Sequence, residues 1–133
     1  MKLRKFYSTL LAVVAIGIAS PAFAEKVGVT FAGDDALESS ISSALKADGH
    51  QIVDIASAAR NVRLDSVAAA SIGKSTGADI IVSGKKLGKV VILKVLSTKN
   101  DTVAGGTCPA DDPGAAADQV KKIIADNKAK LTQ

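Results

Sequence analysis

The chain has 133 residues, of which 47% are hydrophobic, 23% charged and 3% aromatic, with 17 basic side chains against 13 acidic ones. Three of the bases but none of the acids lie in residues 1–24, so residues 25–133 carry a net charge of +1, which provides no electrostatic footprint for nucleic acid. Phe31 is the only aromatic residue after position 24, which excludes the stacking platforms of single-strand binders and aromatic-rich binding hot spots.

Residues 1–24 have the three regions of a secretory signal peptide. Lys2, Arg4 and Lys5 form a positive segment, residues 10–18 are apolar, and residues 22–24 read Ala-Phe-Ala, a signal for cleavage. The apolar run is shorter than the roughly 20 residues of a membrane-spanning helix. We therefore expect cleavage, with no membrane anchor afterwards, and a periplasmic single domain over residues 25–133.

The domain is expected to open with a strand, a helix and a second strand. Alternating apolar residues predict a strand over 26–31, and Asp34-Asp35 suits the N-cap of a helix over 35–48. The apolar stripe of this helix consists of Leu37, Ile41, Ala44 and Leu45. Gly49 follows as a C-terminal stop, and residues 50–55 predict the second strand.

A second helix and a glycine corner follow. Residues 56–62 predict a loop or a single turn, and Asp65 is the expected N-cap of a helix that ends at Thr76. Gly77 should stop this helix before a third strand over 79–86, whose apolar run favours a strand covered on both faces.

The remainder predicts two more strands and a helix. The fourth strand spans 89–97 and begins with an apolar run that again favours burial of both faces. The fifth is short, over 102–104, and residues 105–112 are expected to form a loop. Pro113 suits the first turn of a last helix that runs to about Leu131.

The predicted fold class is α/β. The order βαβαβββα gives about five strands and three helices in a mixed sheet of three or two layers. The two strand–helix–strand units require parallel pairing with right-handed crossovers, and the strands after residue 86 add antiparallel pairs at one edge.

Residues for catalysis or for holding a metal or cofactor are not indicated. One histidine and one cysteine, His50 and Cys108, cannot supply the four ligands of a structural zinc site. The acidic pairs at 34–35 and 111–112 precede predicted helices, where capping accounts for them. The sequence Gly-Lys-Ser at 73–75 lacks the glycine five residues before the Gly-Lys pair that a phosphate-binding loop requires. We therefore expect that the protein is not an enzyme and binds no cofactor.

Cys108 has two interpretations. As the only cysteine, it is a candidate intermolecular thiol in an oxidising compartment. However, no basic residue lies within eight positions to lower its pKa, so a loop thiol without a catalytic role is the alternative.

Arg60 and Arg63 are the candidate surface for a partner or ligand. They lie on the connection into the second helix, which follows the carboxyl end of a strand, the edge at which α/β proteins bind ligands. The alternative is that both are solvated loop charges.

Residues 71–84, which read Ser-Ile-Gly-Lys-Ser-Thr-Gly-Ala-Asp-Ile-Ile-Val-Ser-Gly, carry a resemblance. Together with the early Lys-Val-x-Val-x-Phe strand, this segment is similar to the helix-to-strand corner in the periplasmic α/β domains of the curli-secretion lipoprotein family (CsgG), of LpoB-type activators of penicillin-binding proteins and of the TolB amino-terminal domain. The resemblance implies a non-catalytic envelope domain that binds proteins or assembles with itself. The lipidated cysteine and the pore-forming insertions of the lipoproteins are absent here.

The expected function is therefore that of a small periplasmic adaptor or accessory protein of a cell-envelope assembly. Its partner would be an envelope protein rather than nucleic acid, and a homo-oligomer is compatible with the sequence. The alternative is a periplasmic protein that binds a small anionic ligand at Arg60 and Arg63.

Overall fold

A computed structural model describes residues 25–31 and 34–132. The expected signal peptide lies outside these residues. The elements along the described chain are β1 (Lys26–Thr30), α1 (Asp35–Ala47), β2 (Gln51–Val53), α2 (Ala56–Ala59), α3 (Ser66–Thr76), β3 (Ile80–Leu87), β4 (Val90–Ser97), β5 (Val103–Pro109), α4 (Pro113–Asp126) and α5 (Lys128–Leu131). The predicted α/β class is confirmed.

In the described part of the chain, five strands form one mixed sheet in the order β2-β1-β3-β4-β5. Strand β1 pairs in parallel with both β2 and β3, while β4 is antiparallel to β3 and to β5. Both parallel pairs are joined through helices, and the antiparallel strands follow as a meander. The carboxyl ends of β1, β2 and β3 therefore lie at one edge of the sheet.

Aspartate caps begin the three longer helices. The carboxylate of Asp34 accepts a hydrogen bond from the Leu37 N–H, that of Asp65 from Ala68, and that of Asp112 from Ala115. Each bond satisfies a backbone donor that has no partner inside the helix. The caps expected from the sequence are confirmed.

The two faces of the sheet are covered unequally. Helices α1 and α4 pack on one face over a continuous apolar core that includes Val27, Val82 and Val95. On the other face, α3 packs through Ala69 and Ile72 against Ile81, Leu96 and their neighbours. The fold therefore has three layers near the start of β3 and two layers beyond the amino-terminal end of α3.

The expectation that β4 is buried on both faces is wrong. Val91 and Leu93 are buried towards α1 and α4, but Val90 and Ile92, on the opposite face, remain 44% and 41% exposed. The reason is that α3 does not extend over this half of the hairpin.

Other boundaries also differ from the sequence prediction, and the second strand, expected over 50–55, spans only Gln51–Val53. Strand β5 continues through the segment expected to be a loop, because residues 103–109 pair with β4 over its whole length. The last helix is interrupted at Asn127, whose backbone leaves helical geometry at φ −116° and whose side chain donates to the Ile123 carbonyl.

Candidate functional site

The connection between α2 and α3 separates the two arginines that the sequence groups together. Both Arg60 and Arg63 are exposed, and between them Asn61 adopts a left-handed backbone with φ 57°. Arg63 lines a cleft between this connection and the sheet, whereas Arg60 is not among the residues that line it. The structure thus brings one of the two predicted residues to a candidate site.

The cleft has a volume of about 710 Å³ and lies between the α2–α3 connection and the face of the sheet. One wall is the connection from Ala59 to Leu64; the other is the face of the sheet that α3 leaves uncovered. Thr30, at the carboxyl end of β1, and Ser83, its register partner in β3, lie at its base. The cleft thus lies at the carboxyl end of a parallel strand, a place where α/β proteins commonly bind ligands.

Three basic side chains line the cleft. They are Arg63 on the connection, Lys85 on β3 and Lys94 on β4, and the described residues that line the cleft include no acidic side chain. Lys94 pairs with Ser83 and Ile92 pairs with Lys85, so the two lysines are diagonal cross-strand neighbours, typically about 7–8 Å apart. That spacing refers to the backbones of the two residues. The positive charge of the lining, with no acidic side chain to balance it, would attract an anion.

The connection is tied to the sheet by one of these lysines. The Lys94 Nζ donates a hydrogen bond of 3.2 Å to the Leu64 carbonyl, just before the Asp65 cap of α3. The carboxylate of Asp65 is itself engaged with the Ala68 N–H. Lys94 therefore holds the wall of the cleft in place as well as contributing charge.

Sequence reasoning missed Lys85 and Lys94. The available signal was strand periodicity, because residues 90, 92 and 94 alternate with buried ones and share a face. Reading the start of β4 as buried on both faces concealed that alternation. That these lysines meet Arg63 depends on the register of β3 with β4, which the sequence does not reveal.

A second feature of the uncovered face is an apolar strip. We define the open strip as the exposed side chains of Leu87, Val90, Ile92 and Val103 on the β3–β4–β5 half of the sheet. Their alternation and register place all four on the same face. They are 41–49% exposed. Leu87, Val90 and Ile92 lie close together towards the β3–β4 turn, whereas Val103 is opposite Leu96 near the other end of β4. Exposed apolar side chains rimmed by basic ones are typical of an interaction surface.

The open strip ends at an unpaired strand edge. Two hydrogen bonds define the pairing of β5 with β4: the Ser97 N–H donates to the Thr102 carbonyl, and the Ala110 N–H donates to the Lys89 carbonyl. The backbone N–H and C=O groups of even-numbered residues in β5 therefore point towards β4. The N–H groups of residues 103, 105 and 107 therefore point away from the sheet, and Pro109 supplies no donor. Proteins often block pairing at an edge strand with charged side chains, and β5 carries none.

Cys108 lies in β5 rather than in a loop. Its side chain faces α4 and is 7% exposed, within the larger apolar core. Burial, and to a lesser degree the charge of Asp112, raises the pKa of the thiol. The cysteine is therefore on the face of the sheet opposite the basic cleft, and its role as an intermolecular thiol stays a prediction.

His50 lies beside a smaller cavity of about 310 Å³ that Asp48, Lys121 and Lys128 also line. Its Nδ1 is buried and has no hydrogen-bond partner in the described structure. Burial lowers the pKa of the imidazole, although Asp48 and Glu25 oppose that effect. The arrangement favours a neutral histidine.

The contacts of Asp34 are those of a helix cap and an ion pair. Its carboxylate accepts from the Leu37 N–H and forms an ion pair of 3.0 Å with Lys86. The backbone hydrogen bond first, and Lys86 second, lower the pKa of this carboxyl. These contacts agree with the expected capping role.

Among residues 25–31 and 34–132, no group of three or more His, Cys, Asp or Glu side chains is placed to hold a metal ion. Helices in the same ranges are too short or too polar to cross a membrane. No protein-family model matches the chain, and no curated protein matches it at a significant level.

Proposed function

We propose that this protein is a non-catalytic periplasmic adaptor or accessory component of a cell-envelope assembly, and that it binds a protein partner. The observation that carries the proposal is the open strip beside the unpaired edge of β5. Export would depend on residues 1–24 acting as a signal peptide, and cleavage would release residues 25–133.

The open strip supplies the apolar contacts that such binding needs. Each of its four side chains could bury its remaining exposed surface, and apolar area removed from water is worth roughly 25 cal/mol per Å². The neighbouring Lys85 and Lys94 favour a partner segment with acidic residues beside its apolar ones. The chain need not contribute an aromatic anchor if the partner supplies one.

The edge of β5 supports an extended partner segment. A strand added here would pair with the outward N–H groups of Val103, Gly105 and Thr107, and its alternate side chains would lie beside Val103 and Thr107 on the same face as the open strip. Main-chain bonds would give affinity, and the apolar and basic side chains would give selectivity.

The test is capture of a partner from envelope extract by purified residues 25–133, with two matched lysine substitutions. Val103→Lys places a positive charge on the open strip and at the edge of β5. Val67→Lys is the control, since it adds the same charge on α3, where Val67 is 78% exposed. A partner retained by wild type and Val67→Lys but lost from Val103→Lys supports the proposal. A capture pattern that Val103→Lys leaves unchanged contradicts it, and recovery of the chain itself would identify the partner as a second copy.

A further inference from the structure

We propose that the basic cleft binds a small organic anion, with one anionic head group on a short hydrocarbon body. Lys85, Ile92 and Lys94 belong to both surfaces, but this inference needs only the cleft that they form with Arg63 and requires no partner at the edge of β5.

The positive charge of the cleft lining indicates an anionic head group. Three cations converge on one cleft whose described lining residues include no carboxylate. Arg63 offers the planar pair of N–H donors that binds carboxylate or phosphate in bidentate fashion. Lys85 and Lys94 add point charges from the opposite wall, so an anion between the walls contacts both sides.

The polar groups at the base add directionality. Thr30 and Ser83 present hydroxyl groups, and Asn61 presents an amide near the rim. The hydroxyl of Ser83 belongs to a residue that is 8% exposed, so this part of the cleft is partly screened from water. Hydrogen bonds to an anion gain strength where water is partly excluded.

The hydrocarbon body is specified by the rest of the lining. Val62 and Leu64 on the connection face Ile92 on the sheet, and Val62 and Ile92 are each 41% exposed. The volume of about 710 Å³ lies within the range of small-molecule sites. An inorganic ion would leave most of that space and its apolar walls unused.

Octanoate is a suitable probe, followed by amide chemical shifts during titration of residues 25–133. Octyl phosphate distinguishes a phosphate head group from a carboxylate, while octanol and octylammonium carry the same chain without the negative charge. We expect one of the two anions to shift the amides of residues 61–64, 83–85 and 92–94, with octanol at least tenfold weaker and octylammonium not bound. Added salt should weaken binding, because the charges are exposed.

Substitutions in the cleft provide the second arm. We expect Arg63→Gln and Lys85→Gln each to weaken binding of the preferred anion about five- to tenfold, whereas Arg60→Gln, three residues from Arg63 on the same connection, should change it less than twofold. The three substituted side chains are all exposed, so the fold should persist. An unchanged amide spectrum outside the cleft would confirm that it does.

Three outcomes would overturn the proposal. Equal binding of octanol and octanoate would reduce the cleft to an apolar patch. An equal loss in Arg60→Gln and Arg63→Gln would indicate a diffuse charge effect, and unchanged binding in Lys85→Gln and Arg63→Gln would place the anion elsewhere. Binding that survives in Val103→Lys separates this site from the proposed partner surface.

Discussion

Gly73 in α3 packs directly against Thr98, which follows β4. A Cβ placed on Gly73 would lie 2.5 Å from the Thr98 Cβ, a separation at which one of the two segments must move. Thr98 is itself fixed, because its Oγ1 donates to the carbonyls of Ala78 and Asp79 at 2.8 and 3.0 Å. The glycine that resembles part of a phosphate-binding loop therefore lets α3 approach the end of β4.

Gly73→Ala is the first prediction. In an isolated helix the change would stabilise by about 1 kcal/mol. Here it should destabilise by about 1–3 kcal/mol, the usual cost of overpacking, because the clash is with a branched Cβ and not with the end of a flexible side chain. Urea denaturation of residues 25–133 measures the difference.

Ser71→Ala is the matched control for that substitution. Ser71 is exposed on the same helix, two residues before Gly73. The control should be neutral or slightly stabilising because alanine favours the helix. A stabilised Gly73→Ala variant would contradict the close approach to Thr98.

The second prediction concerns Gly84 and Phe31. The Phe31 ring occupies the position that a Cβ on Gly84 would need, and the Ile92 carbonyl lies 2.7 Å from that position. Gly84→Ala should destabilise by about 1–3 kcal/mol through overpacking. In a Phe31→Leu background the same change should cost less, with a coupling of at least about 0.5 kcal/mol between the two sites. Additive effects in this double-mutant cycle would contradict a direct clash between ring and strand.

Features set by short stretches of sequence could be predicted well. Asp34, Asp65 and Asp112 cap their helices because a carboxylate needs only the N–H groups of the next three residues. Gly77 ends α3 with φ 84°, a conformation that glycine adopts without strain. The corner at residues 77–80 follows from such local chemistry.

Features set by distant contacts could not be predicted. Two adjacent glycines favour a loop, yet β5 continues through them because β4 supplies backbone partners on one side. Gly106 lies against α4, where a Cβ would be 3.2 Å from the Ile123 Cδ1. The basic cleft depends likewise on the register of β3 with β4 and on where α3 begins, so only Arg63 could be named from the sequence.

The third prediction concerns pH and His50. Burial lowers the pKa of the folded imidazole below its usual 6.5. As pH falls below 6.5, the unfolded chain therefore takes up a proton that the folded chain resists, and the free energy of unfolding decreases. Well above pH 6.5 the imidazole is largely unprotonated in both states, so its contribution is constant.

Urea midpoints at pH 7.5, 6.5, 5.5 and 5.0, values chosen around the usual pKa of about 6.5, measure the effect. Wild type should lose stability between pH 6.5 and 5.0, and His50→Gln should show a smaller slope over the same interval. Asp34 should not interfere, since its carboxyl pKa lies below the usual 3.8. Equal slopes in the two proteins would show that His50 is not the group responsible.

The last prediction decides between the two interpretations of Cys108. Its burial favours the one without a reactive role, so we expect the thiol to be inert in the folded protein. Its side chain is 7% exposed on the core face of β5, and burial raises the thiol pKa above its usual 9.0, so little thiolate forms near neutral pH. Thiolate is the reactive species, so iodoacetamide should modify the native protein at least about 100-fold more slowly than the urea-unfolded chain. Cys108→Ala should leave the oligomeric state unchanged, and Cys108→Ser should destabilise by about 1–3 kcal/mol because a hydroxyl replaces a thiol in an apolar setting. Stoichiometric disulfide-linked dimers of native protein on non-reducing gels, absent from Cys108→Ala, would instead establish the intermolecular thiol and require β5 to leave its packing against α4.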